Sequence, residues 1–374
     1  MTFNYKVLGQ SYYASTVTSS DRLVTVAVQN HRANYSSDGV TWEYATTSWD
    51  EYWWEAVAGT INFVIALRYG GTNYIYSTDA ITWSNGTKPS GYYSKALYAQ
   101  NKFVAVEEQA YAIYSTDGMS WTTATIPSGA NGWTGLGYGN NLFIATDGYG
   151  NVSMYSTDAV TWTSGGTLPS SAGWTSSIAY GAGKYVTVCA GNSGQTTVAA
   201  YTTNGVSWTA TTLPTAKYWT SVAWGASKFV AVAQGDDSSN TTDSYATSTD
   251  GITWTTPAAI NGTSQNFIAK SVTVNSSGLF VVVGFDDTFN RPLFSTSSDG
   301  TTWTEPALMN GSSAVSKMNT VICNSSGRFV SLGKSNSNYL TTTYSDDGST
   351  WQTPAAFSQP DIWKRIQAGT VPWP

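Results

Sequence analysis

Hydrophobic and polar positions alternate with period two along most of the chain. Stretches such as YYSKALYAQNKFVAV at 92–106, GWTGLGYGNNLFIAT at 132–146, GWTSSIAYGAGKYVTVCA at 173–190 and YWTSVAWGASKFVAVAQ at 218–234 share one plan. An aromatic residue opens a short alternating run, a polar turn interrupts it, and an apolar run follows. Alternation on both sides of Gly-Asn, Gly-Ala-Ser or Asn-Ser-Ser-Gly turns predicts β-hairpins. No 12-residue window carries apolar residues at helical spacing, so helix is expected to be negligible.

A second pattern follows each hairpin. It reads YSSDGVTW at 35–42, YSTDAITW at 76–83, YSTDGMSW at 114–121, YSTDAVTW at 155–162, YTTNGVSW at 201–208, TSTDGITW at 247–254, TSSDGTTW at 296–303 and YSDDGSTW at 344–351. Its tryptophans are spaced by 41, 38, 41, 46, 46, 49 and 48 residues, the length of one four-stranded antiparallel sheet. Each repeat then reads strand A, turn, strand B, variable loop, strand C, box turn, strand D. Eight repeats predict an all-β fold, a single eight-bladed β-propeller over 1–374, with seven blades as the fallback if one repeat opens out. The segment 361–374 is expected to close the ring. Within it, WKRIQAG at 363–369 matches strand A and would complete the first blade or pair with TFNYKVLG at 2–9.

The box has a physical logic. Asp-Gly permits the positive φ of a primed hairpin turn, the Asp carboxylate can accept N–H groups of its own turn, and the Trp supplies a large apolar wedge. The residues assigned this structural role are Asp38, Trp42, Asp79, Trp83, Asp117, Trp121, Asp158, Trp162, Asn204, Trp208, Asp250, Trp254, Asp299, Trp303, Asp347 and Trp351. Ala80 and Ala159 replace the Gly, and Asn204 the Asp, so those turns are expected to be strained or differently bonded. The motif resembles the Asp-box (BNR) repeat of sialidases, sortilin-type receptors, xyloglucan-degrading glycosidases and the photosystem II assembly factor family, and of phage virion and bacterial surface proteins. The usual form is S-x-D-x-G-x-T-W, one residue longer than the form here. In that family the box is a structural turn remote from the active site, which the resemblance implies here too.

Composition narrows function by elimination. Charged residues make up 11% and aromatics 14%, and the net charge of −6 offers no basic field for nucleic acid. One histidine, His31, removes most triad and zinc hypotheses, so no catalytic residue, metal or cofactor is expected. Cys189 and Cys323 lie in apolar runs and read as buried thiols. No signal peptide is visible, and no run is long enough to insert into a membrane. A sialidase would need three converging arginines, and Arg22, Arg32, Arg68, Arg291, Arg328 and Arg365 show no such pattern. A carboxylate pair needs less. Glu107, Glu108, Asp147, Asp236, Asp237, Asp243, Asp286 and Asp287 cluster in the B–C loops, where they are either solvated, calcium-binding or catalytic.

The most suggestive constellation is aromatic. Trp53, Trp54, Tyr93, Trp133, Trp174, Trp219 and Trp363 recur at the start of strand A, beside Tyr92 and Tyr218. They form either a ring of ligand-binding faces or packing between blades. Tyr74, Tyr149, Phe285 and Phe289 are the non-repeating aromatics near the B–C loops. Together these features lead to the expectation of a non-enzymatic structural or adhesion protein, a bacteriophage virion component of tail, fibre or capsid-decoration type. It would be extracellular or in the virion, would contact other virion proteins or host-surface glycans, and would be oligomeric within an assembly. The alternative is a bacterial lectin or glycoside hydrolase on an Asp-box propeller. An assembly factor like that of the photosystem family is a third class, set aside because no arginine-rich patch is seen.

Overall fold

The computed structural model describes residues 15–17, 22–27, 33–36, 43–44, 54–60, 63–68, 70–78, 82–107, 111–128, 132–148, 151–169, 175–189, 195–234, 244–256, 258–260, 267–286, 289, 291–309, 315–323, 327–335, 340–352, 355–356 and 366–367. Among them every regular element is a β-strand, and the strands form seven hydrogen-bonded sheets. The first contains β1 (Ser15–Val17), β2 (Arg22–Ala27), β3 (Ala33–Ser36) and β4 (Glu43–Tyr44). The second contains β5 (Trp54–Thr60), β6 (Phe63–Arg68), β7 (Asn73–Ser77) and β8 (Ser84–Thr87). The third contains β9 (Tyr93–Ala99), β10 (Lys102–Glu107), β11 (Ala112–Ser115) and β12 (Thr122–Thr123). The fourth contains β13 (Trp133–Gly139), β14 (Leu142–Asp147), β15 (Ser153–Ser156) and β16 (Thr163–Ser164). The fifth has seven strands, β17 (Thr175–Gly181), β18 (Lys184–Cys189), β19 (Thr196–Thr202), β20 (Thr209–Gly225), β21 (Lys228–Gln234), β22 (Ser244–Ser248) and β23 (Ala258–Ala259). The sixth contains β24 (Phe267–Val274), β25 (Phe280–Asp286), β26 (Arg291–Ser297) and β27 (Ala307–Leu308). The seventh contains β28 (Val315–Cys323), β29 (Phe329–Ser335), β30 (Leu340–Ser345) and β31 (Ala355–Ala356), and β32 (Ile366–Gln367) returns to pair with β2.

Local sequence explains the hairpins. Gln100–Asn101, Asn140–Asn141 and Ala226–Ser227 all have positive φ, the backbone that a tight two-residue connection between twisted strands requires. The second strand of each unit departs from simple alternation. Val64–Leu67, Phe103–Val106 and Phe280–Val283 are buried without interruption, because both faces of these strands are covered. Successive first strands are also joined by side chains. The N–H groups of Val222, Val272 and Val321 donate to the hydroxyls of Ser177, Ser221 and Ser271 at 3.2, 3.3 and 3.3 Å.

The box turn differs from the primed hairpin turn expected of it. Only the glycine is left-handed, for example Gly118 at φ 72°, and the connection from Ser115 to Trp121 is a wound loop. Asp117 Oδ1 accepts the N–H groups of Met119 and Ser120, both at 2.7 Å, and Ser115 Oγ accepts Gly118 N at 2.8 Å. The N–H of Ser120 above all, with that of Met119 and the Ser115 hydroxyl, holds the Asp117 carboxyl down at about 2. Asn204 makes the same bonds, to Val206 N at 2.9 Å and Ser207 N at 3.1 Å, so the substitution leaves the turn bonded as elsewhere. Ala159 adopts φ 62°, the strained conformation anticipated for it. Asp38, Trp42, Asp79 and Ala80 lie outside the described residues.

Among the described residues, the boxes also fasten their strands to the preceding repeat, across a seam between sheets or, in the fifth, within one sheet. Tyr74 OH donates to Gly118 O at 2.8 Å and Thr125 N to Val160 O at 2.9 Å. Thr211 Oγ1 donates to Ile252 O, and Lys228 Nζ to Asp299 O at 3.0 Å. The tryptophans fill the same seams. Trp121 meets Tyr74 edge-on at 5.8 Å, Trp303 lies 5.5 Å from Tyr245, and Trp351 lies 5.6 Å from Phe294. Trp83, Trp162, Trp254, Trp303 and Trp351 are buried, whereas Trp121 and Trp208 are half-buried.

Candidate functional site

Antiparallel order puts the A–B turns and boxes at one end of every sheet and the B–C and D–A loops at the other. The box end repeats itself. The opposite end varies, and there a recurring irregularity redirects the chain: the first strand carries a β-bulge just after its opening residues, between Trp54 and Ala56, Trp133 and Gly135, Thr175 and Ser177, and Trp219 and Ser221. In the third sheet the shift falls opposite Val106/Glu107. Bulges of this kind re-aim side chains and interrupt ladder pairing.

The last residue of the second strand faces this irregular stretch. From the second sheet onward it is Arg68, Glu107, Asp147, then Cys189 and Gln234 from the two halves of the fifth sheet, Asp286 and Ser335. Glu107, Asp147 and Asp286 are buried, and two of them have defined structural tasks. Glu107 Oε2 accepts Tyr92 N at 2.6 Å. Asp286 pairs with Arg291 at 2.7 Å and accepts Phe289 N at 3.3 Å. These acids thus organise loops much as the box Asp organises its turn. Glu108, Asp236, Asp237, Asp243 and Asp287 lie outside the described residues, among which no group of three His, Cys, Asp or Glu is placed to hold a metal.

The aromatics sort by burial. Tyr93, Trp133 and Trp219 are wholly buried and present no face to a ligand. Repetition at one register here marks a packing solution. Trp53, Trp174 and Trp363 lie outside the described residues, and Trp54 is placed only as the first residue of β5. Tyr74 and Phe285 are buried, Tyr74 by its bond to the neighbouring box, while Tyr149 is not among the described residues. Phe289 is 67% exposed and stacks 4.6 Å from the Arg291 guanidinium.

The densest concentration of chemistry lies between the second and third sheets. Lys88, one residue beyond β8, is 4% exposed, donates from Nζ to Gly71 O at 2.8 Å, and sits 4.2 Å over the Tyr93 ring. Burial first, and the Arg68 charge second, push its ammonium down to about 7, with Glu107 acting in the opposite sense. Burial likewise raises the Tyr93 phenol. Arg68 lies against Gly71, whose Cβ, were it present, would be 3.0 Å from Arg68 Nη1. At Gly91 an added Cβ would stand 2.7 Å from Glu107 Oε2 and 3.0 Å from the Tyr93 ring, so any other residue would force one of them to shift. On the rim are two open rings, Tyr92 at 39% and Tyr111 at 53% exposure. Both are tied to Glu107, Tyr92 through its N–H and Tyr111 through its carbonyl, which accepts Glu107 N at 3.0 Å. Lys88 was missed in the sequence. The available signal was a lysine in GTKPSG at 86–91, within a charge-poor chain and outside any repeat.

Comparison with known proteins identifies the fold. No family model matches the sequence, and no curated protein does. Solved β-propellers match the structure. Virginiamycin B lyase from Staphylococcus aureus is 13% identical with a TM-score of 0.55, over 78% of this chain and 91% of that one. YCF48 from Cyanidioschyzon merolae is 12% identical with a TM-score of 0.54, over 75% and 92%. The designed protein Ika8 is 8% identical with a TM-score of 0.57, over 85% and 91%. The chain has a β-propeller fold.

Two expectations are corrected by these relatives. Lyases occupy this propeller fold, so the exclusion of enzymatic activity drawn from the sequence does not hold. The bacteriophage structural or adhesion role fails as well, since the natural proteins among the matches named above are a lyase and YCF48, with no virion or adhesion protein beside them. The first inference had leaned on missing histidine and arginine patterns, and the second mainly on the absence of a visible signal peptide, a charge-poor composition and similar repeats with variable loops, features that specify neither a reaction nor a partner. Identities this low carry the fold and no activity.

Proposed function

We propose that this propeller binds an extended peptide segment across the loop end of the third sheet, with Tyr92 and Tyr111 as its platforms. The supporting observation is that the backbones of two tyrosines with exposed rings are tied to one buried residue, Glu107. Tyrosine rings on an anchored backbone have only two side-chain torsions to order when they bury an apolar side chain, and their hydroxyls can bond a peptide backbone. A YCF48 structure on the same fold is bound to D1 peptide, which makes peptide capture a chemistry the architecture accommodates. Selection from a displayed random peptide library is the test. Peptides enriched on the wild-type chain should lose binding to the Tyr92→Ala/Tyr111→Ala variant, and equal binding to both proteins would overturn the reading.

The platform belongs to a larger architectural proposal, a closed eight-bladed ring with Asp-box turns. Residues Thr209–Thr212 of β20 pair with β19 and Tyr218–Gly225 pair with β21, so one strand can serve two blades and the seven sheets can make eight. β1 pairs along Arg22–Val24 and β32 along Val26–Ala27 of the same strand, which supports closure of a single domain by its two ends.

Catalysis at the same end is a second reading, favoured by Lys88. An enclosed amine that is partly neutral near pH 7, beside Glu107 and Tyr93, has the properties of a proton-transfer group. It predicts a turnover lost in a folded Lys88→Met variant.

A further inference from the structure

We infer that Arg68 and Lys88, where they meet at Gly71, seat a carboxylate, so that the peptide taken by the Tyr92–Tyr111 platform is an acidic one. This rests on the peptide reading above. The chain has only 17 Lys and Arg against 23 Asp and Glu, yet two of those cations converge on one glycine. Lys88 Nζ takes the Gly71 carbonyl at 2.8 Å, and the Arg68 guanidinium lies against its Cα. Among the described residues, the groups facing Lys88 are Arg68 from the end of β6, the Tyr93 ring from β9 and Glu107 from the end of β10. Among the described residues, two basic side chains and a single carboxylate thus meet at this corner, in a protein of net charge −6.

The pair is also energetically poised for an anion. Desolvation and Arg68 both work against the Lys88 proton. A carboxylate arriving between the two cations reverses that balance, because it offers a charge-assisted partner to both and restores the ammonium. Binding of the anion and uptake of a proton are therefore linked. The apolar subsite is adjacent: a Cβ on Gly70 would lie 3.3 Å from the Tyr92 ring, so that ring and the cations border the same two-glycine loop. Gly70 and Gly71 both have positive φ, at 79° and 68°, which lets the backbone pass between them without a side chain in the way.

The test uses peptides from the displayed library, each made twice, with its acidic residues and with Gln or Asn in their place. The acidic form should bind about tenfold more tightly, the difference expected of one charge-assisted pair, and Arg68→Gln should abolish the preference. Equal binding of acid and amide forms would overturn this inference while leaving the peptide platform standing. A second measurement needs no peptide. Glutarate titrated at pH 8 should produce a saturable shift of the Lys88 side-chain NMR resonance with net proton uptake, both lost in Arg68→Gln, whereas a flat response would also overturn it. Thermal melting of Arg68→Gln, a half-buried position, checks that the variant is folded.

Discussion

The carboxylate of Glu107 accepts the backbone N–H of Tyr92 at 2.6 Å, across the point where the third sheet's first strand loses its regular register. The bulge removes a ladder partner from that stretch, and a buried side chain supplies one. Glu107→Ala should therefore destabilise the protein by about 2–4 kcal/mol, since it strands a buried donor and also removes a carboxylate from beside Lys88. Denaturant unfolding measures this. A loss below about 1 kcal/mol would mean that the loop holds without the carboxylate.

Lys88 makes stability depend on pH in a defined direction. Its folded pKa of about 7 lies below the free-lysine value, so between about pH 7 and the free value near 10.4 the unfolded chain binds more protons than the folded one. Stability contributed at this site accordingly rises with pH through that window, and below it the buried ammonium is a liability. Lys88→Met should flatten the rise, stabilising the protein relative to wild type at pH 6 more than at pH 9. Paired urea titrations at the two pH values, in the absence of any anionic ligand, give the comparison.

The box carboxylates have the opposite dependence. The Asp117 carboxyl is held at about 2, and partial burial at Asp347 is outweighed by the N–H groups of Thr350 and Ser349 and two hydroxyls, which hold it at about 2 as well. Their folded pKa values are depressed, so their contribution is complete above the ordinary value near 4 and disappears as pH falls through about 2. Asn204 shows that a neutral oxygen can make the same two backbone bonds. Asp117→Asn should then cost less than about 1 kcal/mol at pH 7 and Asp117→Ala about 1–2 kcal/mol, and the Asn variant should lose less stability than wild type between pH 5 and pH 2.

What the sequence made legible was whatever the repeat enforces. Asp117, Asp250 and Trp351 could be placed because the same turn and the same seam recur in sheet after sheet. The same regularity could not choose between ligand faces and packing at Tyr93, Trp133 and Trp219. An aromatic required at one register in many sheets is required by packing, and all three are buried. The candidate site lies where the repeat breaks, at Arg68, Glu107 and Lys88, and only the register of the second strand's last residue aligns the first two. Lys88 depends on a loop carbonyl and a neighbouring sheet, a proximity that no local spacing encodes.

Burial also ranks the tryptophans. Trp351 is fully buried against Phe294 of the preceding sheet, with Nε1 donating to Gly348 O at 3.2 Å. Trp351→Ala should cost about 3–5 kcal/mol. Trp208 is half-buried and donates to Ser153 Oγ at 2.8 Å, so Trp208→Ala should cost roughly half as much by the lost area. Equal losses in calorimetric or denaturant measurements would show that the seam tolerates either gap alike.

Two boxes with opposite residues at the left-handed position show how the preceding sheet governs the turn. Gly118 at φ 72° has Phe63, the first residue of β6, directly above it, and an added Cβ would lie 2.3 Å from that ring. Ala159 occupies the matching position of the next box at φ 62°, and there the first residue of the preceding second strand is Lys102, near enough to act on the adjacent Asp158 carboxyl and without a rigid ring to meet a methyl group. The left-handed backbone costs alanine about 1–2 kcal/mol, but the buried Ala159 methyl returns about 0.8 kcal/mol, and glycine would lose more chain entropy on folding. Ala159→Gly should therefore be within about 0.5 kcal/mol of neutral by these opposing magnitudes. Gly118→Ala has no such offset, because strain and collision add, and it should destabilise by about 2–4 kcal/mol. If the two substitutions instead gave effects of equal size, the difference between Phe63 and Lys102 would not be what decides which residue the turn accepts.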